Sequence, residues 1–205
     1  MMFPAPDSAV LDSYIAGSTP AIPMSHGRHD PLVVPGHRYL VAREGLFVEV
    51  ARPWVHAILE MATSQVPLPF GSARPLARIK LLCGQIPAHL MASFVEQARR
   101  ALPNECGAWV IWHAQRREFD LIGLTATSAT ADNLAYERPV LEAGWSLVMD
   151  VHSHGRAPAF FSRTDDQDDK QAGEVKLAGV VGRLDGVPEW RFRLAACGLL
   201  KELSP

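Results

Sequence analysis

Cysteine is scarce in this chain. Its 205 residues hold three, Cys83, Cys106 and Cys197, an odd number at wide spacing. They build neither a disulfide framework nor a Cys-x-x-Cys zinc knuckle. Cys106 beside Glu105 resembles a nucleophile, but free cysteine behaves mostly as a small buried residue, and it is read so here. Long hydrophobic runs are missing too. No stretch approaches the ~20 apolar residues that a membrane helix needs. The start, Met1-Met2-Phe3-Pro4-Ala5-Pro6-Asp7, has none of the charged and apolar regions of a signal peptide. A cytoplasmic protein without a membrane partner is therefore expected. Charge of one sign is not in excess: 20 basic and 22 acidic residues leave a net charge of -2. That gives no electrostatic footprint for nucleic acid, and the short pairs Arg99-Arg100 and Arg116-Arg117 read as solvated faces. Internal repeats are absent.

What is present is enough apolar material for a core. At 48% hydrophobic residues the chain suits one domain, or one domain with a sizeable extension. Residues 1–36 are rich in Pro, Gly, Ser and His and read as an irregular arm. Its His26-x-x-His29 pair is a weak metal motif in a loop-like setting. His37 to Ala42 and Leu46 to Ala51 alternate around Arg43-Glu44-Gly45 as a hairpin. Trp54 to Ala62 has apolar residues at 54, 55, 58, 59 and 62, which predicts a helix. A turn at Pro67 to Gly71 and a strand from Ala77 to Leu82 follow. Residues 1–80 thus form an arm and a small α+β extension whose function is not legible.

Residues 81–205 read as an α/β (α+β) domain, a mixed sheet flanked by helices. Pro87 opens a helix whose stripe of Leu90, Met91, Phe94, Val95, Ala98 and Leu102 faces a core. Trp109 to Trp112 and Phe119 to Thr125 pair as strands. Trp109 and Trp112 face opposite ways in a regular strand, so either one is exposed or both sheet faces are covered. Ser128 to Tyr136 reads as a loop and Arg138 to Trp145 as a short helix ending near Gly144. Val148 to His154, Val175 to Leu184 and Trp190 to Leu194 complete the sheet.

Chemistry concentrates in fourteen residues. His152-Ser153-His154 is followed, seven residues on, by Ser162-Arg163-Thr164-Asp165. Side chains at i and i+2 of a strand share a face, so His152 and His154 project together. Gly155 and Pro158 break the strand. Ser162 is a helix N-cap, with Asp165 at the third helical position. Two imidazoles and one carboxylate can hold one zinc ion and leave a fourth position open, as catalytic sites do. Glu105, at the mouth of the strand 109–112, is the candidate general base, and the Ser162 hydroxyl can donate to an oxyanion. Asp166, Asp168 and Asp169 read as a solvated acidic helix face, favourable to the helix dipole.

The order Glu, His-Ser-His, seven residues, Ser-x-x-Asp resembles the signature of the JAMM (MPN-plus) zinc metalloprotease family over about residues 80 to 200. The resemblance implies zinc held by His152, His154 and Asp165, Glu105 as acid/base, and Ser162 assisting the tetrahedral intermediate. It implies a curved mixed sheet and hydrolysis of a peptide or isopeptide bond, often at the C-terminal tail of a ubiquitin-like protein. Pro103 to Gly107, Asp150 to Gly155 and Pro158 to Ser162 are similar to bacterial members carried in a gene cassette. That context implies a ubiquitin-like protein and an E1/ThiF-like protein of the same cassette as partners. The stretch from Thr125 to Pro139, the place of the ubiquitin-gripping insertions of eukaryotic relatives, is short, so ubiquitin itself is not the expected substrate. Many relatives are scaffolds without activity, which stands as the alternative. Amidohydrolase barrels need about 250 residues, and zinc deaminases need His-x-Glu and Pro-Cys-x-x-Cys; neither fits.

Overall fold

The computed structural model describes residues 20–131, 133–170 and 175–204. The arm expected over residues 1–36 lies outside the described residues up to residue 19. The chain divides into two compact units, Met1–Leu82 and Cys83–Pro205. Among the described residues no helix is long and apolar enough to cross a membrane.

Among its described residues the first unit is a five-stranded sheet. Its strands are β1 (Ala21–Pro23), β2 (Gly36–Ala42), β3 (Gly45–Arg52), β4 (Val55–Thr63) and β5 (Arg78–Leu81), lying side by side in that order. The hairpin of β2 and β3 forms where the alternation places it, with Ala42 opposite Gly45. The helix expected over Trp54 to Ala62 is instead strand β4. Pro53-Trp54 make a two-residue turn, so Arg52 faces Val55 and the chain returns along β3. A strand buried on both faces at Val55, Ala57, Ile58 and Leu59 mimics helical spacing over so short a run. Residues 20–36 are more ordered than the arm reading allows. β1 pairs in parallel with β2, and Met24 joins Leu40, Phe47 and Ile58 in the core. His26 is exposed, whereas His29 turns inward.

His29 turns inward because Glu49 of β3 is fully buried. A buried carboxylate persists only when paired and hydrogen-bonded. Leu32 N–H donates to Oε1 at 2.8 Å and Arg38 Nε to Oε2 at 2.7 Å. The Nε2 atoms of His29 and His56 lie 3.2 and 2.8 Å from Oε1. One acid thus ties the 26–35 segment, β2 and β4 to β3.

The second unit carries a six-stranded mixed sheet. Its strands are β6 (Gly107–His113), β7 (Glu118–Gly123), β10 (Trp145–Ser153), β11 (Val175–Gly182), β12 (Glu189–Ala196) and β13 (Leu199–Leu203). They lie in the order β13-β12-β11-β10-β6-β7. β10 runs parallel to β11 and the other pairs are antiparallel. A long helix, Ala88–Ala101, buries Leu90, Phe94, Val95 and Ala98, and a short one spans Arg163–Asp169. The architecture is α+β.

Two local expectations change, one strand is added, and one open choice is decided. Residues 128–136 are not a loop: β8 (Ala126–Ala129) and β9 (Leu134–Tyr136) pair as a separate hairpin. Arg138 to Trp145 forms no helix; Val140 is almost fully exposed, so the segment lacks the apolar face that holds a short helix. β13, which no sequence pattern announced, returns along β12 through a Cys197-Gly198 turn with both residues at positive φ, a geometry that fits hairpin twist. Trp109 and Trp112 are both buried, as is every residue of β6, so neither is offered to a partner.

Truncating one partner of a buried charged network costs roughly 3–5 kcal/mol, so Glu49→Ala is expected to destabilise the first unit by that order in denaturant unfolding. Burial alone raises the Glu49 pKa, but the bonds from Leu32, His56, Arg38 and His29 outweigh it and hold the pKa below 4.5. A depressed acid contributes stability above its unfolded pKa and loses it as pH falls through the folded value. Wild type should therefore lose more stability below pH 4.5 than Glu49→Gln does; equal acid sensitivity would remove Glu49 as the cause.

Candidate metal centre

β10 lies between β6 and β11, inside the sheet. Alternation puts Asp150, His152 and His154 on one face. His154 stands one residue past the strand, yet its N–H donates to Val181 O at 2.8 Å, which prolongs extended geometry. Ser153 points the other way and is fully buried. Its Oγ accepts the Cys106 N–H at 3.0 Å and its N–H donates to Cys106 O at 2.9 Å. That staple fixes the residue after Glu105, and Glu105 N–H donates to Thr130 O at 2.7 Å. The acid is thereby held next to the histidine strand from a segment 47 residues away in sequence. Ser153 is a positioning residue that its sequence neighbourhood does not reveal. Cys106 is only half-buried and burial pushes its thiol pKa up, the opposite of an activated nucleophile.

The seven-residue spacer is strapped to the end of β11. Arg183 N–H donates to Ala157 O at 2.8 Å and Leu184 N–H to Gly155 O at 3.0 Å. Gly182 permits this approach: a Cβ there would stand 2.3 Å from Ala157 O and 2.6 Å from Ala159 N. The spacer delivers Ser162 as N-cap of the short helix. Asp165 N–H donates to Ser162 Oγ at 3.1 Å, and Ser162 N–H donates to Asp165 Oδ2 at 2.6 Å, a complete capping box. One carboxylate oxygen is spent on the cap. The other, Oδ1, faces His152 Nε2 at 3.4 Å.

Three ligand atoms converge. The Nε2 atoms of His152 and His154 are 3.1 Å apart, and with the Asp165 carboxylate all lie within 4.8 Å of one another. Ligand atoms about 2.0–2.1 Å from a tetrahedral zinc stand about 3.3 Å apart, so the set fits one such ion. Its chemistry fits as well. Burial, and then the neighbouring His152, push the His154 pKa down, towards the neutral imidazole that binds metal. The Asp165 carboxylate and a hydrogen bond to the Pro158 backbone oppose that shift in part. Glu105 Oε1 stands 4.0 Å from His154 Nε2, on a residue only 7% exposed, near the ligand set but not in it. A cavity of about 250 Å³ opens over these groups, with Phe160 and Ser162 on its wall. The ring of Phe160 meets His154 edge-on, 4.5 Å between centroids.

The acidic helix face is not simply solvated. Asp169 is 5% exposed and accepts from Arg193 Nε at 2.8 Å, while Lys176 Nζ lies 3.0 Å from its Oδ1. Asp166 accepts from Arg193 Nη1 at 2.5 Å. Only Asp168 keeps the expected exposure. The missed signal was in the strands: Lys176 and Arg193 interrupt apolar runs, and buried cations require acids.

The second unit is thus an α+β domain that gathers two imidazoles and a carboxylate at one end of its sheet, a group that could hold a metal ion. Residues 87–195, just over half of the chain, match the family described as prokaryotic homologs of the JAB domain, and the chain belongs to that family. JAB-like domains include hydrolases and often bind zinc, but the prokaryotic members are often catalytically inactive. Residues 9–81 match a domain of unknown function, DUF2016. The solution structure of a Desulfitobacterium hafniense protein is similar at 16% identity, covering 57% of this chain and 86% of that one, with a TM-score of 0.42. No curated protein matches the chain.

Overpacking at a closed site costs about 1–3 kcal/mol. Gly182→Ala is expected to lower unfolding stability by that order, whereas Gly186→Ala, whose Cβ meets nothing nearer than 3.9 Å, leaves it within about 1 kcal/mol. Equal behaviour of the two variants in denaturant titration would refute the strapped spacer.

Proposed function

We propose that the chain is a zinc-dependent amide hydrolase of the JAMM type, cleaving a peptide or isopeptide bond. The observation that carries this reading is the convergence of His152, His154 and Asp165 with Glu105 beside them but outside the ligand set. A structural zinc site is closed by four protein ligands, whereas a catalytic one keeps a position for water. When bound by these three residues, zinc would supply Lewis-acid activation of water and of the scissile carbonyl.

The remaining work falls to this chain's own groups. Glu105 takes the proton of the attacking water and returns it to the departing amine nitrogen. Its burial beside the histidines suits a base that must hold one proton through the intermediate. Ser162 Oγ already accepts the Asp165 N–H, so its own proton is available to donate to the carbonyl oxygen as that oxygen gains charge. Phe160, at the wall of the cavity, covers one side of His154 and limits access of bulk water. A cavity of about 250 Å³ suits an extended tail with small side chains better than a folded surface.

The substrate class proposed is the C-terminal tail of a bacterial ubiquitin-like protein. Support comes from the segments that resemble protein A of the PRTRC cassette, Asp150 to Gly155 and Pro158 to Ser162. A ubiquitin-like protein and an E1/ThiF-like protein of such a cassette are the proposed partners. The other reading is a catalytically silent scaffold or binding module in such a complex.

The two part on one experiment. The zinc-loaded protein is incubated with a reporter fused to the ubiquitin-like tail, with and without chelator. Wild type should cleave and the chelated protein should not. Glu105→Gln should keep one zinc per chain and lose at least about a hundredfold in kcat. Full activity in Glu105→Gln would remove Glu105 as the base. A zinc-loaded wild type inert towards tail fusions, free peptides and small amides alike would establish the silent scaffold.

A further inference from the structure

The short helix that carries Asp165 is an unusual element. Its sequence, Arg-Thr-Asp-Asp-Gln-Asp-Asp, holds no apolar side chain, and its one buried residue is Asp169. Seven residues are far below the ~12–15 at which an isolated helix becomes even marginal in water. Helices of this length are normally held by an apolar face, and this one has none. The capping box closes its first turn, and charge must hold the rest.

Two cations do so, in different directions. Arg193 of β12 grips Asp166 and Asp169. Lys176 of β11 does something else. It lies in a strand buried at every position and is itself 4% exposed. Its Nζ stands 3.0 Å from Asp169 Oδ1 and 3.1 Å from Asp150 Oδ2. Asp150 is two residues before His152 on the same face of β10, and the Tyr136 hydroxyl donates to the same Oδ2 at 2.9 Å. Asp169 is one helical turn beyond Asp165. One ammonium thus joins the strand that bears both imidazoles to the helix that bears the carboxylate. An apolar residue of similar volume would often serve stability as well or better. What a buried ion bridge adds is a fixed distance.

We propose that Lys176 is a positioning residue for the metal centre, setting the separation between Asp165 and the two histidines by bridging Asp150 to Asp169. The proposal rests on the zinc reading of that centre. Loss of an outer partner of a metal ligand typically costs ten- to a hundredfold in affinity; Lys176 acts one contact further out, through Asp150 and Asp169, so the lower end, about tenfold weaker zinc binding, is expected for Lys176→Met.

The test is zinc affinity of the full chain by competition with a chromophoric chelator, with far-UV circular dichroism and thermal unfolding in parallel. Lys176→Met alone leaves Asp150 without its cation and can lose stability for that reason. The double variant Lys176→Met with Asp150→Asn removes that charge, while Asp169 keeps Arg193 and the amide introduced at position 150 keeps a Tyr136 bond. In the double variant stability should return towards wild type and zinc affinity should stay low, because the bridge is still absent. Zinc affinity that recovers in step with stability, or that never falls in either variant, would overturn the proposal while wild type still binds zinc. A wild type that binds no zinc would overturn the metal reading, and this proposal with it.

Discussion

The site depends on how the two oxygens of Asp165 are divided. Four N–H groups at the start of any helix need acceptors. Here the capping box uses Ser162 Oγ for one of them and returns Asp165 Oδ2 to the Ser162 N–H. With Oδ2 committed at 2.6 Å, the carboxylate plane is fixed and Oδ1 is left aimed at His152. The same bond that starts the helix therefore orients the third candidate ligand. It also leaves the Ser162 proton uncommitted to the cap, since that hydroxyl takes part as acceptor. One local motif accounts for two of the five groups in the proposed chemistry.

Around that motif the fold supplies rigidity by different means on each side. β10 is an interior strand, so the histidines stand on backbone bonded to neighbours on both edges. The spacer is tied to β11 through backbone bonds that Gly182 makes sterically feasible. The short helix, lacking any apolar face, is held by ion pairs to β11 and β12. Glu105 arrives on a segment fastened through Ser153 and Cys106. His154 is buried, the His152 and Asp165 side chains are each 20% accessible, and a cavity of about 250 Å³ lies over them.

Legibility in the sequence tracked locality. His152, His154, Ser162 and Asp165 lie within fourteen residues, and two periods, two for a strand and the three-residue step of a cap, suffice to bring them together. The hairpin of β2 and β3 and the helix at 88–101 were legible for the same reason. What failed was decided by partners far along the chain. β4 reads as a helix until Pro53-Trp54 is recognised as a hairpin turn and β3 as its neighbour. Arg138 to Trp145 has helical residues, but Val140 is almost fully exposed and no continuous apolar face holds them as a helix. Asp169 looks solvated until Lys176 and Arg193, in strands that follow it, are seen to be buried. The Glu105 position follows from the strand mouth; the Ser153 staple that holds it there is a contact across 47 residues that no local pattern encodes.

The central claim is that two imidazoles and one carboxylate of this chain share a single zinc ion. X-ray absorption at the zinc edge of the purified, zinc-loaded protein tests it most directly. The expected result is one zinc per chain, a first shell of nitrogen and oxygen only at about 2.0–2.2 Å, and the outer-shell scattering of two imidazoles. A sulfur ligand at about 2.3 Å, which would place Cys106 or another cysteine on the metal, or zinc well below one per chain, would contradict it.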